Sequence, residues 1–327
     1  MKLASFHGGG RDRVGLVDRQ GRLHDAEQAV AATGRSGPDA AIFRDMQSVI
    51  EAGPPAFEAL ARASELVEAD ANTGAVFASD QVRWHPPVRK PSKLACVPNN
   101  NTAFSDTIIK RPKTTTFFVK PYSALVGHNE PIVLYPDYGI TYPEPEIAVI
   151  IGRTATRIRE ENAYDHVFGY TIHNDVTSAT LREEDTFHYR EAMPDGKGGF
   201  KMVESHASYS GRYKSADTFS PLGPWLVTRD EIPDPHALDV ECFIGDTLLY
   251  RDNTRNLTYY LPEILAVISR YQTLFPGDIV SLGTASDPGG EEGEVPQSST
   301  DMNRLGGPAR ISIKGLGELS NPVDIRR

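Results

Sequence analysis

The chain opens on short runs in which apolar and polar residues alternate between turns: LASF, the Gly8-Gly9-Gly10 turn, RVGLV, a DRQG turn and RLHD. Alternation of this kind predicts a small β meander over residues 1–25. The period then lengthens. Over residues 40–52 and 55–68 apolar positions such as Phe57, Leu60, Ala61 and Leu66 recur at helical spacing, which predicts two helices packed on the meander. The stretch WHPPVRKPSK, residues 84–93, carries paired prolines that favour extended backbone over helix. It marks a boundary that divides a small N-terminal α+β domain, residues 1–88, from a larger domain, residues 89–327.

Beyond the boundary the pattern is mostly that of strands, in TTTFFVK, PIVLY, EIAVIIG, GYTI, PWLVT, DIVSLG and ARISIKG, with one clear helix at about Leu261 to Tyr271. The predicted fold class is α+β and β-rich, with mixed or antiparallel sheets in the larger domain. Two polar, Gly-containing stretches interrupt the strands, residues 183–214 and 286–307. Both are expected to be irregular, and the first is read as a lid over a binding site.

Composition narrows the partners. A chain of 327 residues is long enough for one large core and a small second one. Its formal net charge of -10 argues against nucleic acid, whose binding draws on Lys and Arg. To bind a small acidic molecule, such a protein must concentrate positive charge locally, through a metal ion and a few placed cations. The longest apolar run, residues 147–151, is too short to cross a bilayer, and no apolar stretch of signal length opens the chain. A soluble cytoplasmic protein without a membrane partner is expected. Cys96 and Cys242 have apolar neighbours and no CxxC spacing, so they are expected to be buried free thiols.

The stretch richest in chemistry is TYPEPEIAVIIG, residues 141–152. In an extended strand Glu144 and Glu146 share a face, while Pro143 and Pro145 suit a strand entry or edge. Two carboxylates this close repel, so a cation or shared proton between them is one explanation and a solvated acidic edge the other. A third acid, Asp175, ends the strand pattern in GYTIHNDVT. With no nearby Cys or paired His, Glu144, Glu146 and Asp175 would make an all-oxygen site suited to Mg²⁺, Mn²⁺ or Ca²⁺ rather than Zn²⁺, with Mg²⁺ named first. His173 reads as structural.

The order of these elements resembles the fumarylacetoacetate hydrolase family from about Lys93 to Val323. It runs through the strand and turn FFVKPYSALVG, the PEPE pair, GYT..ND, the K-S-x-D-x-x-x-P-L-G-P stretch from Lys214 to Pro224, Gly283-Thr284, and finally GLGELSNPV from Gly315 to Val323. The resemblance implies a catalytic domain built as a β-roll, a homodimer, and a divalent ion held by Glu144, Glu146 and Asp175. It also implies enzymes of 2-oxo acids and their enols: C–C hydrolases of acylpyruvates, isomerases, decarboxylases and sugar-acid dehydratases. By position Lys214 matches the lysine that faces the developing oxyanion, and Gly283-Thr284 the pair near the substrate carboxylate. Lys120 could add positive charge for the substrate, although it also reads as an edge-strand lysine. Arg182 falls where many relatives carry glutamine, and its guanidinium could clamp a second carboxylate bidentately.

One departure from the pattern bears on the reaction. Hydrolytic relatives often carry a water-activating histidine where CVPNNNTAFSD places Phe104. His188, Glu183, Glu184 and Asp106 are candidate replacements, and His188 is favoured because a base needs only reach and a tuned pKa. The expected activity is metal-dependent hydrolysis of an acylpyruvate in the catabolism of aromatic or related compounds. Isomerisation, decarboxylation or dehydration through the same enolate is the alternative, and an inactive, metal-stabilised binding scaffold is an alternative of another class.

Overall fold

The strand Pro145–Ile151 shows how the molecule is layered: Ile147, Val149 and Ile151 enter one hydrophobic core, while Ala148 and Ile150 enter another. The computed structural model describes residues 1–34, 38–286 and 300–326. This strand lies deep in a 12-stranded sheet, between Val167–Asn174 and Ile279–Thr284, both antiparallel to it. Buried on both faces, it is apolar at nearly every position, as a central strand must be.

One core forms between this sheet and two further elements, a four-stranded antiparallel sheet and the helix Leu261–Tyr271. The other lies beneath the helices Ala26–Ala32, Met46–Ala52 and Pro54–Glu68. The N-terminal meander, Lys2–Gly8, Arg11–Val17 and Leu23–Asp25, continues the large sheet, because Lys2 and Leu3 pair with Val227 and Leu226 of the strand Ser220–Thr228. Residues on both sides of the Pro-rich stretch therefore share one sheet and one core.

The α+β, β-rich class is as expected, with two local differences. The stretch 40–52 is not one helix: Asp45 ends a 3₁₀ turn, Ala40–Arg44, and its carboxylate caps Met46–Ala52 by accepting from the Ser48 amide at 2.8 Å. The stretch 183–214, expected to be irregular, holds an antiparallel hairpin of Thr186–Pro194 and Phe200–Ser208. Its turn closes because the Asp195 carboxylate accepts from the amides of Lys197 and Gly199 while Gly196 and Gly198 take positive φ. The expectation failed because alternation here is masked: Phe187 and Phe200 stay 63% and 77% exposed, so no buried face orders the pattern. Of the second stretch, residues 287–299 lie outside the described part. Cys96 and Cys242 are buried and free. Among the described residues no helix is long and apolar enough to cross a membrane.

Candidate active site

The acidic pair sits where the strand Pro145–Ile151 begins, and pairing across the sheet assembles the rest. Register places Pro145 opposite Asn174 and Glu146 opposite His173 on one side, and Glu146 opposite Thr284 on the other. The Asn174 side-chain oxygen accepts from the Glu144 amide at 3.0 Å, and the Asp175 amide donates to the Glu144 carbonyl at 3.0 Å. These two bonds lock the ends of both strands together. One carboxylate oxygen from each of Glu144, Glu146 and Asp175 then lies within 4.8 Å of the others, and all three residues are buried.

Each carboxylate is steered by its own donors. Ser281 Oγ donates to Glu146 Oε2 at 2.5 Å and Thr284 Oγ1 to Oε1 at 3.1 Å. Behind Ser281, His173 Nδ1 lies 2.8 Å from its Oγ; since that hydroxyl already donates to Glu146, the histidine is the donor of this pair. His173, buried, thus stands behind Glu146 as the partner of Ser281. Thr177 Oγ1 donates to Glu144 Oε2 at 3.1 Å.

Two lysines reach the same acids in different ways. Lys214 donates to Glu144 Oε2 and, at 2.6 Å, to Asp175 Oδ2, and its ammonium stands 5.6 Å from the Phe118 ring centre. Lys120, 1% exposed, donates to Asp175 Oδ1 at 2.5 Å and to the Phe219 carbonyl at 2.8 Å. Lys120 is consumed inside the protein and does not line the cavity, so the structure does not bring it to a substrate.

Burial and charge oppose one another at this centre. Burial pushes the Glu144 carboxyl up, and although Lys214 pulls it down, Asp175 and Glu146 push it up again. Asp175 is also penalised by burial, but Lys120 and Lys214 overcome this and hold it below the usual carboxylate range. Burial disfavours the Lys214 ammonium, yet Asp175 and Glu144 raise it well above its ordinary value. Three crowded carboxylates with one proton-like cation lodged between two of them make a hard oxygen set that fits a divalent ion. Mg²⁺ and Mn²⁺ match this donor chemistry.

The triad opens into a cavity of about 290 Å³ lined also by Tyr142, Thr177, Arg182, Tyr213, Lys214 and Thr284. Gly283 stands behind its wall: at φ +103° it lets the loop pass so closely that a Cβ would lie 2.7 Å from that of Asn100. His188 is not brought to the triad; it is exposed on the hairpin, paired in register with His206. Glu183 and Glu184 are exposed at the end of the helix Ala179–Glu184, and the side chain of Asp106 lies outside the described part. Sequence reasoning missed Ser281, Tyr142, Thr177 and Tyr213. Tyr142 and Thr177 flank the acids in sequence, Tyr213 directly precedes Lys214 and Ser281 lies two residues before Gly283-Thr284, so a neighbouring signal was available for each.

Comparison with known proteins bears on this geometry. The model of the fumarylacetoacetate (FAA) hydrolase C-terminal domain matches residues 94–324. The oxaloacetate tautomerase YisK of Bacillus subtilis (strain 168) is 31% identical over 261 residues, 76% of this chain and 75% of that protein. A 2,4-didehydro-3-deoxy-L-rhamnonate hydrolase of Sphingomonas sp. (strain SKA58) is 28% identical over 321 residues, 97% of this chain and 94% of that one. A crystal structure of maleylpyruvate hydrolase from Sphingobium sp. SYK-6, in complex with manganese (II) ion and pyruvate, superposes with a TM-score of 0.70 at 30% identity and covers 100% of both chains.

Proposed function

The chain belongs to the fumarylacetoacetate hydrolase family, and from that premise we propose that it is a divalent-metal-dependent enzyme that hydrolyses a C–C bond of an acylpyruvate through the enolate of a 2-oxo acid. The observation that carries this reading is the buried set Glu144, Glu146 and Asp175, with Lys214 reaching two of its members and Thr284 the third. Bound there, Mg²⁺ or Mn²⁺ would supply Lewis-acid stabilisation to a developing enolate. Lys214 is the cation proposed to face the oxyanion and to hold or return a proton beside it, in a site dry enough to strengthen both effects. Thr284 is proposed to turn its hydroxyl to the substrate carboxylate. The maleylpyruvate hydrolase likeness over both full chains supports this reading, and the manganese and pyruvate of that structure support the choice of ligands.

Hydrolysis also needs a group that activates water. His188 is the residue proposed: it shares a hairpin face with Ser208, which lines the cavity, so bending of the hairpin at its base would bring the imidazole over the mouth. A second reading, keto–enol tautomerisation of a 2-oxo acid, is favoured by one observation: among the described residues no histidine lines the cavity. Proton transfer at the enolate needs Lys214 but no activated water, and the likeness to an oxaloacetate tautomerase supports it. A cytoplasmic homodimer with its domain boundary near residue 88, serving aromatic or related catabolism, completes the proposal.

The test is a spectrophotometric assay of the Mg²⁺-loaded protein on acetylpyruvate and fumarylpyruvate, with any pyruvate coupled to lactate dehydrogenase. Pyruvate release that stops in chelator and in Glu146→Ala is the expected result. Loss of enol absorbance without pyruvate would replace hydrolysis by tautomerisation. Turnover that survives chelation would overturn the metal-enolate reading altogether, and silence in both channels would leave sugar-acid dehydration or a non-catalytic scaffold.

A further inference from the structure

The chain has nine histidines, and seven of them are committed to hydrogen bonds, from His7 with Asp12 to His236 with the Leu261 amide. The remaining two, His188 and His206, make no hydrogen bond or ion pair among the described residues, and both are exposed. They are also the two that the hairpin of Thr186–Pro194 and Phe200–Ser208 sets directly opposite one another. A neutral imidazole has one accepting ring nitrogen, so the pair presents two nitrogen acceptors that no described residue uses.

Register decides how those nitrogens sit. Residues directly opposite in an antiparallel pair project from the same face, with Cβ atoms about 5 Å apart. The two imidazole centres lie 6.0 Å apart. At that separation a nitrogen of each ring can turn to a common ion at about 2.1 Å, the zinc–imidazole distance. The next pair on this face is Arg190 and Glu204, joined at 3.0 Å with their side chains 72% and 80% exposed. An ion pair so open to water is held weakly. Glu204 lines one surface depression with His188, its diagonal neighbour across the strands, so its carboxylate can swing from Arg190 to an ion on the imidazoles.

We propose that His188 and His206, joined by Glu204 as it leaves Arg190, form a site for a divalent transition ion of the zinc class, separate from the acidic triad. Donor type divides the two sites. Imidazole nitrogens favour Zn²⁺, Cu²⁺ or Ni²⁺, whereas the all-oxygen set of Glu144, Glu146 and Asp175 suits Mg²⁺ or Mn²⁺. An ion on this pair ties strand to strand in a two-stranded ribbon that is marginal by itself, and so opposes its fraying. The binding does not depend on the proposed reaction. Where His188 activates water, an ion on its nitrogen withdraws that base, which makes hydrolysis sensitive to Zn²⁺.

Calorimetric titration of zinc chloride into the Mg²⁺-saturated protein reads the site by binding alone. The wild type is expected to take up roughly one Zn²⁺ per chain, His206→Asn to bind it at least about tenfold more weakly, and Glu204→Gln to lose a smaller factor. Glu146→Ala, which breaks the triad, is expected to retain the event. Zn²⁺ should also slow proteolytic nicking of the turn between the two strands in the wild type and not in His206→Asn. His206 is exposed and belongs to neither core, so its replacement leaves the fold in place. Equal Zn²⁺ affinity in wild type and His206→Asn, or an event lost in Glu146→Ala and kept in His206→Asn, overturns the site. Zn²⁺ binding that follows His206 in a protein that turns over neither acetylpyruvate nor fumarylpyruvate leaves the site standing while the proposed reaction falls.

Discussion

At the scale of single residues, the contrast between the two lysines is instructive because chemistry alone would treat them alike. Lys214 lies 12% exposed at the cavity, free to exchange a carboxylate partner for a substrate, while Lys120 is enclosed and spends its donors on Asp175 and the Phe219 carbonyl. Lys120→Met should therefore act on stability before it acts on turnover. It leaves Asp175 with one cation instead of two in a buried setting, and removal of one partner from such a pair costs about 3 kcal/mol. Urea denaturation of wild type and variant checks this; a loss under about 0.5 kcal/mol, typical of a surface change, would refute the role. The sequence did carry the residue type and its place at the end of an apolar run. It could not tell an edge lysine from a buried counter-ion.

Among the elements, the hairpin of Thr186–Pro194 and Phe200–Ser208 stands apart. An isolated two-stranded ribbon is marginal in water, and this one leaves Phe187, Tyr189, Phe200 and Met202 exposed, so it adds little to the two large cores. Replacing residues 187–207 with a short Gly-Ser turn should leave the melting temperature within about 2 °C of wild type. Pyruvate release from an acylpyruvate should be lost with His188, while enol–keto exchange continues on Lys214. Retained hydrolysis in the shortened protein would remove His188 from the mechanism. Its strands escaped sequence reading because period-2 patterning is legible only where one face is buried and the other is not.

For the whole molecule, histidines that burial holds below their ordinary value make stability depend on pH. His236, stacked on Tyr260 at 4.1 Å and accepting from the Leu261 amide at 3.1 Å, is pushed down to about 4 by burial, and burial does the same to His128. Between pH 6.5, the ordinary histidine value, and about 4 the unfolded chain binds protons that the folded chain refuses. Stability should thus fall as pH falls through that window. His236→Asn removes one of these groups and should flatten the decline, whatever its cost at pH 7. Urea midpoints measured from pH 7 to pH 4 test the slope, and parallel curves for wild type and variant would show that His236 is not its source.

What the sequence determined by itself was local. Strand parity set Glu144 and Glu146 on one side, and the oxygen-only donor set pointed to a hard cation. The order of the elements pointed to the family. These follow from the chain's near neighbours, whose spacing is written in the residues. Only the tertiary structure decided which partners meet those acids: Ser281 reaches Glu146 from 135 positions away, and Lys120 reaches Asp175 from 55. The same holds for Arg182, Tyr142 and Tyr213, which converge through pairing between segments far apart in the chain. The register between distant strands is set by the burial of both faces of the large sheet at once, a property of the assembled cores and of no single stretch.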